Sequence, residues 1–259
     1  MQGCGNDYIF LDCRDQVADD PGGLSCRMSD RHFGIGSDGL VLMLPSQTAD
    51  LRMRIFNADG SEAGMCGNAA RCVARYAWDC GWVTREPLRL ATNAGVRELR
   101  HRGDGNISIL MGSPDSRNQP TVRYRGRELL CLSMGNPHAV LPVRAVQGFP
   151  LREAAKEIRA QADVNVEIVQ VTARNRLTVR VFERGSGEAL ACGTGACAAA
   201  VAAVLRGSCD RDTDILVQMP GGALTVRWLP DGTLLLTGGA RQVFCGEWDD
   251  SPLAEHITK

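Results

Sequence analysis

No run of about 18 consecutive apolar residues occurs in the 259-residue chain, which excludes a helical membrane span. The opening Met1-Gln2-Gly3-Cys4 carries no charged segment followed by an apolar stretch, so no secretory leader is expected and the cytoplasm is the expected compartment. There is no excess of one charge sign. The 29 Lys and Arg balance 30 Asp and Glu, for a net charge of −1, so neither a nucleic acid nor an anionic membrane surface is expected as partner. A Cys-x2-Cys pair is also missing; the nearest neighbours are Cys192/Cys197 and Cys66/Cys72, and no metal is expected. What the chain does have is 11 cysteines, an odd number scattered without close pairing. That does not read as a disulfide framework. Most of them read as small buried hydrophobes, and any that do chemistry need a local mark. Apolar residues at 44% and charged residues at 23% describe an ordinary folded chain with a real core. Its length suits one large domain or two of about 130 residues.

The mark comes from an internal repeat. Residues 54–72 align without a gap on residues 180–198, an offset of 126. Arg54 meets Arg180, Phe56 meets Phe182, Glu62 meets Glu188, and Cys66-Gly67 meets Cys192-Gly193. At an offset of 127 the echo continues: Leu88 and Leu90 with Ile215 and Val217, Gly95 with Gly222, Ile107 and Ile109 with Leu234 and Leu236, and Gly112 with Gly239. Gly5-Asn6 echoes Gly135-Asn136. Two copies suggest two facing domains, not a solenoid, with a boundary near 113–120. Residues 52–56, 177–182 and 224–228 read as strands. A helix is expected over 69–78, amphipathic with Arg71 and Arg75 on its polar side. A second is expected over 196–205, where nearly every residue is Ala, Val, Cys or Leu and every side must be buried. The expected fold is α+β: two pseudo-symmetric domains, each a barrel-like sheet around one buried helix, with the active site in the cleft between them. The N-terminal domain spans 1–115, completed by the tail 245–259, and the C-terminal domain spans 116–244.

Each repeat places Cys-Gly immediately before its buried helix. First-turn N–H groups lack intrahelical partners and the helix dipole favours negative charge, so a substrate carboxylate can dock there. The same field is expected to lower a cysteine pKa. Small residues at Gly67, Ala69, Gly193 and Gly195 let a ligand approach the backbone. Two such thiols related by a pseudo-twofold point at one cleft, as inversion of a stereocentre requires: one group removes the α-proton and the other returns a proton to the opposite face. Backbone donors at both helix starts can hold the carboxylate as negative charge builds. A lone cysteine before a helix is usually structural; two at equivalent repeat positions are not so easily dismissed.

The motifs Gly5-Asn6-Asp7, 56–62, Cys66-Gly67-Asn68, 134–138, Val164-Asn165, 183–188 and 191–196 together resemble the diaminopimelate epimerase family, over nearly the whole chain. That resemblance implies a pyridoxal-independent isomerase of lysine and peptidoglycan-precursor synthesis, with no cofactor, that interconverts LL- and meso-diaminopimelate. It assigns the two acid–base roles to Cys66 and Cys192. His138 and Glu183 match positions that tune or orient the cysteines. Substrate contacts fall on Asn6, Asn57, Asn136, Asn165, Glu183 and Arg184, and backbone donor pairs on Gly67-Asn68 and Gly193-Thr194. A substrate with two zwitterionic ends needs several neutral amides, one cation and one anion, which is what the four asparagines, Arg184 and Glu183 supply. A homodimer is implied, with Phe244 near an aromatic position associated with dimer contacts.

The chain departs from the family pattern in several places. Family members carry residues before the first Gly-x-Gly-Asn-Asp that form an edge strand, so either that strand is expected to be missing here or the start of the chain is misassigned. Cys4 replaces an aliphatic residue, Ala69 replaces a glycine after Cys-Gly-Asn, and Gly39 stands where some members have a substrate-reaching glutamine. Cys245-Gly246 replaces a polar turn. Two other readings remain. One is a related racemase of proline, hydroxyproline or histidine, although proline racemases carry Cys-Gly-His at the first site. The other is a non-catalytic ligand-binding or thiol-redox protein.

Overall fold

The structure, a computed structural model, describes residues 1–16 and 18–249. Its centre is one long mixed sheet in which the same pairing scheme is written twice. In the first half, Ile9–Asp12 pairs in parallel with Gly39–Leu44, which runs antiparallel to Leu51–Asn57. Leu51–Asn57 then pairs in parallel with Leu88–Thr92, followed by the antiparallel strands Gly95–His101 and Asn106–Gly112. The second half repeats this order with Pro137–Pro142, Asn165–Ala173, Arg176–Glu183, Ile215–Met219, Gly222–Trp228 and Leu234–Gly239.

The halves join where Leu234–Gly239 pairs antiparallel with Asn106–Gly112. In that ladder Ile109 faces Leu236, its own counterpart at the 127-residue offset. An antiparallel pair between a residue and its own copy lies on a twofold axis, so the pseudo-twofold of the repeat passes through this pair. Repeated side chains keep repeated contacts: Arg54 bridges Glu62 at 2.9 Å, and Arg180 bridges Glu188 at 2.7 Å.

Strand alternation decides which face meets which helix. Val41, Met43, Leu51, Met53 and Ile55 turn inward onto the helix α2, Gly67–Asp79. Leu40, Leu42 and Phe56 turn outward onto α1, Pro21–Ser29, through Leu24 and Met28. In the second half Val179 and Val181 face α4, Gly193–Leu205, while Ala139, Leu141, Val166 and Ile168 meet α3, Leu151–Arg159. The small side chains of α4, mostly Ala with Gly, Cys and Val, leave a thin cylinder that the sheet wraps from Gly193 through Ala203.

Three details differ from the sequence expectations. Both inner helices begin directly after the cysteines, at Gly67 and Gly193, so Cys66 and Cys192 are themselves the N-caps. Each half also carries an outer helix that the strand-and-one-helix reading lacked. Arg71 lies fully inside the protein, not on the polar side of α2; Arg75 does face out, paired with Asp79. The tail 245–259 lies mostly outside the described residues, although Trp248 packs on the α1 cluster of the first half.

Candidate active site

The two inner helices point their N-termini at the pseudo-twofold. A Cβ built on Gly193 would stand 3.9 Å from Gly67 Cα and 3.0 Å from Leu236 Cδ2, and one on Gly67 would stand 3.4 Å from the same Leu236 atom. The helix starts therefore abut across a single leucine on the axis, and glycine at both positions permits it. Cys66 and Cys192 sit one residue upstream, brought together from sites 126 residues apart in the chain.

Each sulfur has a distinct set of neighbours. The Cys66 Sγ, half-buried, donates to Asn6 Oδ1 at 3.4 Å and lies near the backbone N–H groups of Asn68 and Ala69 without a capping hydrogen bond to them. The buried Cys192 Sγ accepts the Gly195 N–H at 3.4 Å, lies 3.4 Å from Thr194 Oγ1 and is within hydrogen-bonding reach of Glu183. Helix-start donors were expected to lower both pKa values. Instead burial pushes both thiols up: the backbone donors and Arg71 only partly offset it at Cys66. At Cys192 the negative charges of Glu183 and Glu167 add to burial and push it well up. Desolvation of a thiolate outweighs the field of one helix end.

The remaining candidates divide into those that converge and those that do not. Asn6 and Asn68 meet, with Asn68 Nδ2 donating to Asn6 Oδ1 at 3.3 Å. Glu183 ends its strand beside Cys192 and accepts from Ser186 Oγ at 2.6 Å. His138 is fully buried, with Nε2 3.0 Å from Asn136 Oδ1. Asn165 Oδ1 accepts the Arg184 backbone N–H at 3.0 Å. Arg184 itself turns to Asp163 at 3.2 Å on the rim, and Asn57 donates to Ser61 Oγ at 2.9 Å; neither contacts a sulfur. Gly39 packs so closely that a Cβ there would lie 2.1 Å from the Phe56 carbonyl oxygen and 3.0 Å from Tyr8 Cε1. Position 39 therefore has no room for a side chain, and the Tyr8 ring fills the space beside it. Phe244 is exposed, as is Val243 beside it.

Four polar residues at the site were not singled out in the sequence. Glu167 is fully buried, with Oε1 2.6 Å from His138 Nδ1 and Oε2 without a partner among the described residues. Its position was legible from the alternation of Asn165–Ala173, where a carboxylate among inward apolar residues stands out. Arg71 donates to Asn68 Oδ1 at 2.7 Å and to the Gly67 carbonyl at 3.2 Å. Asp38 accepts from Asn6, and the Tyr8 hydroxyl is within hydrogen-bonding reach of Asn6 and Cys66. No group of three or more His, Cys, Asp or Glu stands close enough to hold a metal ion among the described residues. A cavity of about 630 Å³ between Tyr124, Leu141, Phe149 and Arg206 contains none of these side chains, and the convergence of donors at two helix ends, not cavity size, locates the site.

The fold is a doubled sheet around two inner helices, with a cysteine at the N-cap of each. Solved structures share this fold across their length. One is a phenazine biosynthesis protein of the PhzF family from Bacillus anthracis, with a TM-score of 0.69 at 17% identity over 92% of both chains. Another is a hydroxyproline epimerase from Agrobacterium vitis, with a TM-score of 0.65 at 16% identity over 92% of this chain and 86% of that one. At such identities the likeness shows fold alone. The sequence comparisons are narrower: the profile described as diaminopimelate epimerase matches residues 1–116 and 130–243. Diaminopimelate epimerases of Acetivibrio thermocellus and Methanococcus maripaludis are 43% and 42% identical, each over 96% of this chain and 97% and 98% of their own. The chain belongs to the diaminopimelate epimerase family, and it is an isomerase.

Proposed function

We propose that the chain interconverts LL- and meso-diaminopimelate by two-base chemistry, with Cys66 and Cys192 as the paired acid and base. The observation that carries this is the abutment of the two cysteine-capped helices across Leu236. One cysteine, as thiolate, takes the α-hydrogen as a proton, leaving the electron pair on the α-carbon and delocalised into the carboxylate. The other, as thiol, gives its proton to the opposite face, and the two exchange protonation states with each turnover. Gly67-Asn68 and Gly193-Thr194 offer N–H groups at two helix starts to the carboxylate, where charge grows in the transition state. Asn6, Asn57, Asn136, Asn165, Glu183 and Arg184 would fix the two zwitterionic ends, and His138 and Glu183 would tune the thiols. The halves 1–115 and 116–244 would act as two domains flanking the substrate. The exposed Val243 and Phe244 favour a homodimer, and no helix of the described residues is long and apolar enough to cross a membrane, which accords with a cytoplasmic enzyme.

The test is incubation of the reduced protein with LL-diaminopimelate in D2O without added pyridoxal phosphate. Deuterium at one α-carbon with formation of the meso isomer is expected. Turnover of proline or histidine in place of diaminopimelate, or no exchange at all, would overturn the assignment.

A further inference from the structure

The two halves surround their cysteines with different groups at equivalent places. Strand register maps the Ile9/Leu40 pair onto Ala139/Val166, so Tyr8 corresponds to His138, Asp38 to Val164 and Val41 to Glu167. Asp38 is therefore a carboxylate with no counterpart in the second half. Its Oδ2 accepts the Asp7 N–H at 3.2 Å, and Oδ1 accepts from Arg31 at 3.0 Å. The amide atom of Asn6 that stands 2.6 Å from Oδ2 must then be the donor nitrogen. From the other side, Asn68 Oδ1 is taken by Arg71, so Asn68 presents its nitrogen and Asn6 must answer with oxygen. Both constraints turn the same atom, Oδ1, towards Cys66 Sγ. A carbonyl oxygen only accepts, so the sulfur facing it must carry the hydrogen.

We propose that Asp38 is a positioning residue that fixes the Asn6 amide with its oxygen on Cys66, holding that cysteine as the thiol. The second half has no such device. Val164 cannot orient Asn136, whose oxygen faces His138 Nε2. Cys192 lies beside the Glu183 carboxylate, whose charge adds to burial in holding that thiol protonated, whereas Cys66 faces a neutral amide oxygen. The two thiols are therefore held by different means, Cys66 by an oriented amide oxygen and Cys192 by burial beside a carboxylate, a refinement that rests on the two-base reading above.

The test follows alkylation of Cys66 by iodoacetamide as a function of pH, read by mapping the labelled peptide. It needs no turnover, so it can fail or succeed independently of the epimerase assignment. Groups facing Cys66 are Tyr8, Arg71, Cys72 and Glu183, and those facing Asp38 are Asp7, Tyr8 and Arg31; all stay in place in the key variant. Asp38→Ala frees the Asn6 nitrogen and weakens the hydrogen bond to the thiol, so the midpoint of Cys66 labelling should fall by about half a pH unit or more, roughly threefold in thiolate fraction. Asp38→Glu should restore the wild-type midpoint. Asp7→Asn, which removes a neighbouring charge without touching Asn6, should leave it unmoved. If Asp38→Ala does not fold, Asp38→Ser serves in its place with the same expected fall. An unchanged midpoint in the folded Ala or Ser variant, or an equal fall in Asp7→Asn, would overturn the proposal.

Discussion

Replacing Glu167 by glutamine isolates a buried charge that no surface group can mimic. Glu167 and His138 are both fully buried at 2.6 Å, and Glu167 Oε2 finds no partner among the described residues. A glutamine can keep one hydrogen bond by donating its amide N–H to Nδ1, while His138 keeps Nε2–H for Asn136. What it loses at low pH is the short O–H···N bond of the protonated carboxyl, replaced by a weaker N–H···N one, a cost of about 0.5–1.5 kcal/mol. Burial raises the Glu167 carboxyl, outweighing the opposing pull of His138. The folded state therefore holds this proton more tightly than the unfolded chain. Stability from this source is fully present below the ordinary value of 4.5 and is lost as pH rises through the raised folded value. Each unit of elevation is worth about 1.4 kcal/mol at high pH. Glutamine has no such slope. Urea unfolding under reducing conditions at pH 5, 6, 7 and 8 should show Glu167→Gln less stable than wild type at pH 5, with the gap closing or reversing by pH 8. Parallel stability curves for the two proteins would refute a raised Glu167, and with it this account of the buried pair.

Other perturbations test the rest of the site. Cys66→Ser and Cys192→Ser should each lower α-hydrogen exchange by roughly 10²–10⁴-fold with unfolding midpoints near wild type, because a positioned acid or base contributes on that scale. Gly195→Ala would place a Cβ 2.9 Å from Glu167 Oε1 and 3.4 Å from Cys192 Sγ, so a loss of about 1–3 kcal/mol in chemical denaturation should accompany a fall in kcat. Arg71→Met strands the Asn68 oxygen and the Gly67 carbonyl; at ~1–3 kcal/mol for each stranded buried group, thermal unfolding should move down by several degrees.

The sequence showed the scaffold more clearly than the local chemistry. The repeat placed Cys66 and Cys192 as equivalents because a duplicated chain keeps its spacing, and the Ala-rich stretch at 196–205 announced its own burial. Helix α3 was missed although its signal is present, since Leu151, Ala154, Ala155 and Ile158 follow helical spacing and all are buried. Helix α1 carries little such signal: Gly22 and Gly23 follow Pro21, its apolar pattern is weak, and the Asp20 cap on the Gly23 N–H is visible only in three dimensions. Arg71 was misread because an arginine four residues before Arg75 suggests a polar stripe. Its burial depends on acceptors from Gly67, Asn68 and Gly239, the last 168 residues away. Pairings of that kind, like Asp38 with Asn6, are set by how strands and loops meet, and no local pattern encodes them.

A symmetric scaffold that carries out an inversion needs to be asymmetric in only one respect. The backbone supplies two equivalent helix ends, and Leu236 on the axis keeps them at matched depth. If it were replaced by alanine, both glycine backbones would lose the same neighbour, and the cost would combine a buried cavity, about 2–5 kcal/mol, with looser spacing between the sulfurs. Both directions of the reaction should then slow together, because the axis serves both cysteines alike. The polar substitutions across the repeat behave differently: Tyr8 against His138, Asp38 against Val164 and Val41 against Glu167 each change only one sulfur's surroundings. Variants at these positions should therefore move the pH response of one cysteine while leaving the other's in place, measured by residue-resolved alkylation. If Leu236→Ala shifted the pH midpoint of one cysteine alone, the separation between a symmetric frame and an asymmetric proton supply would fail.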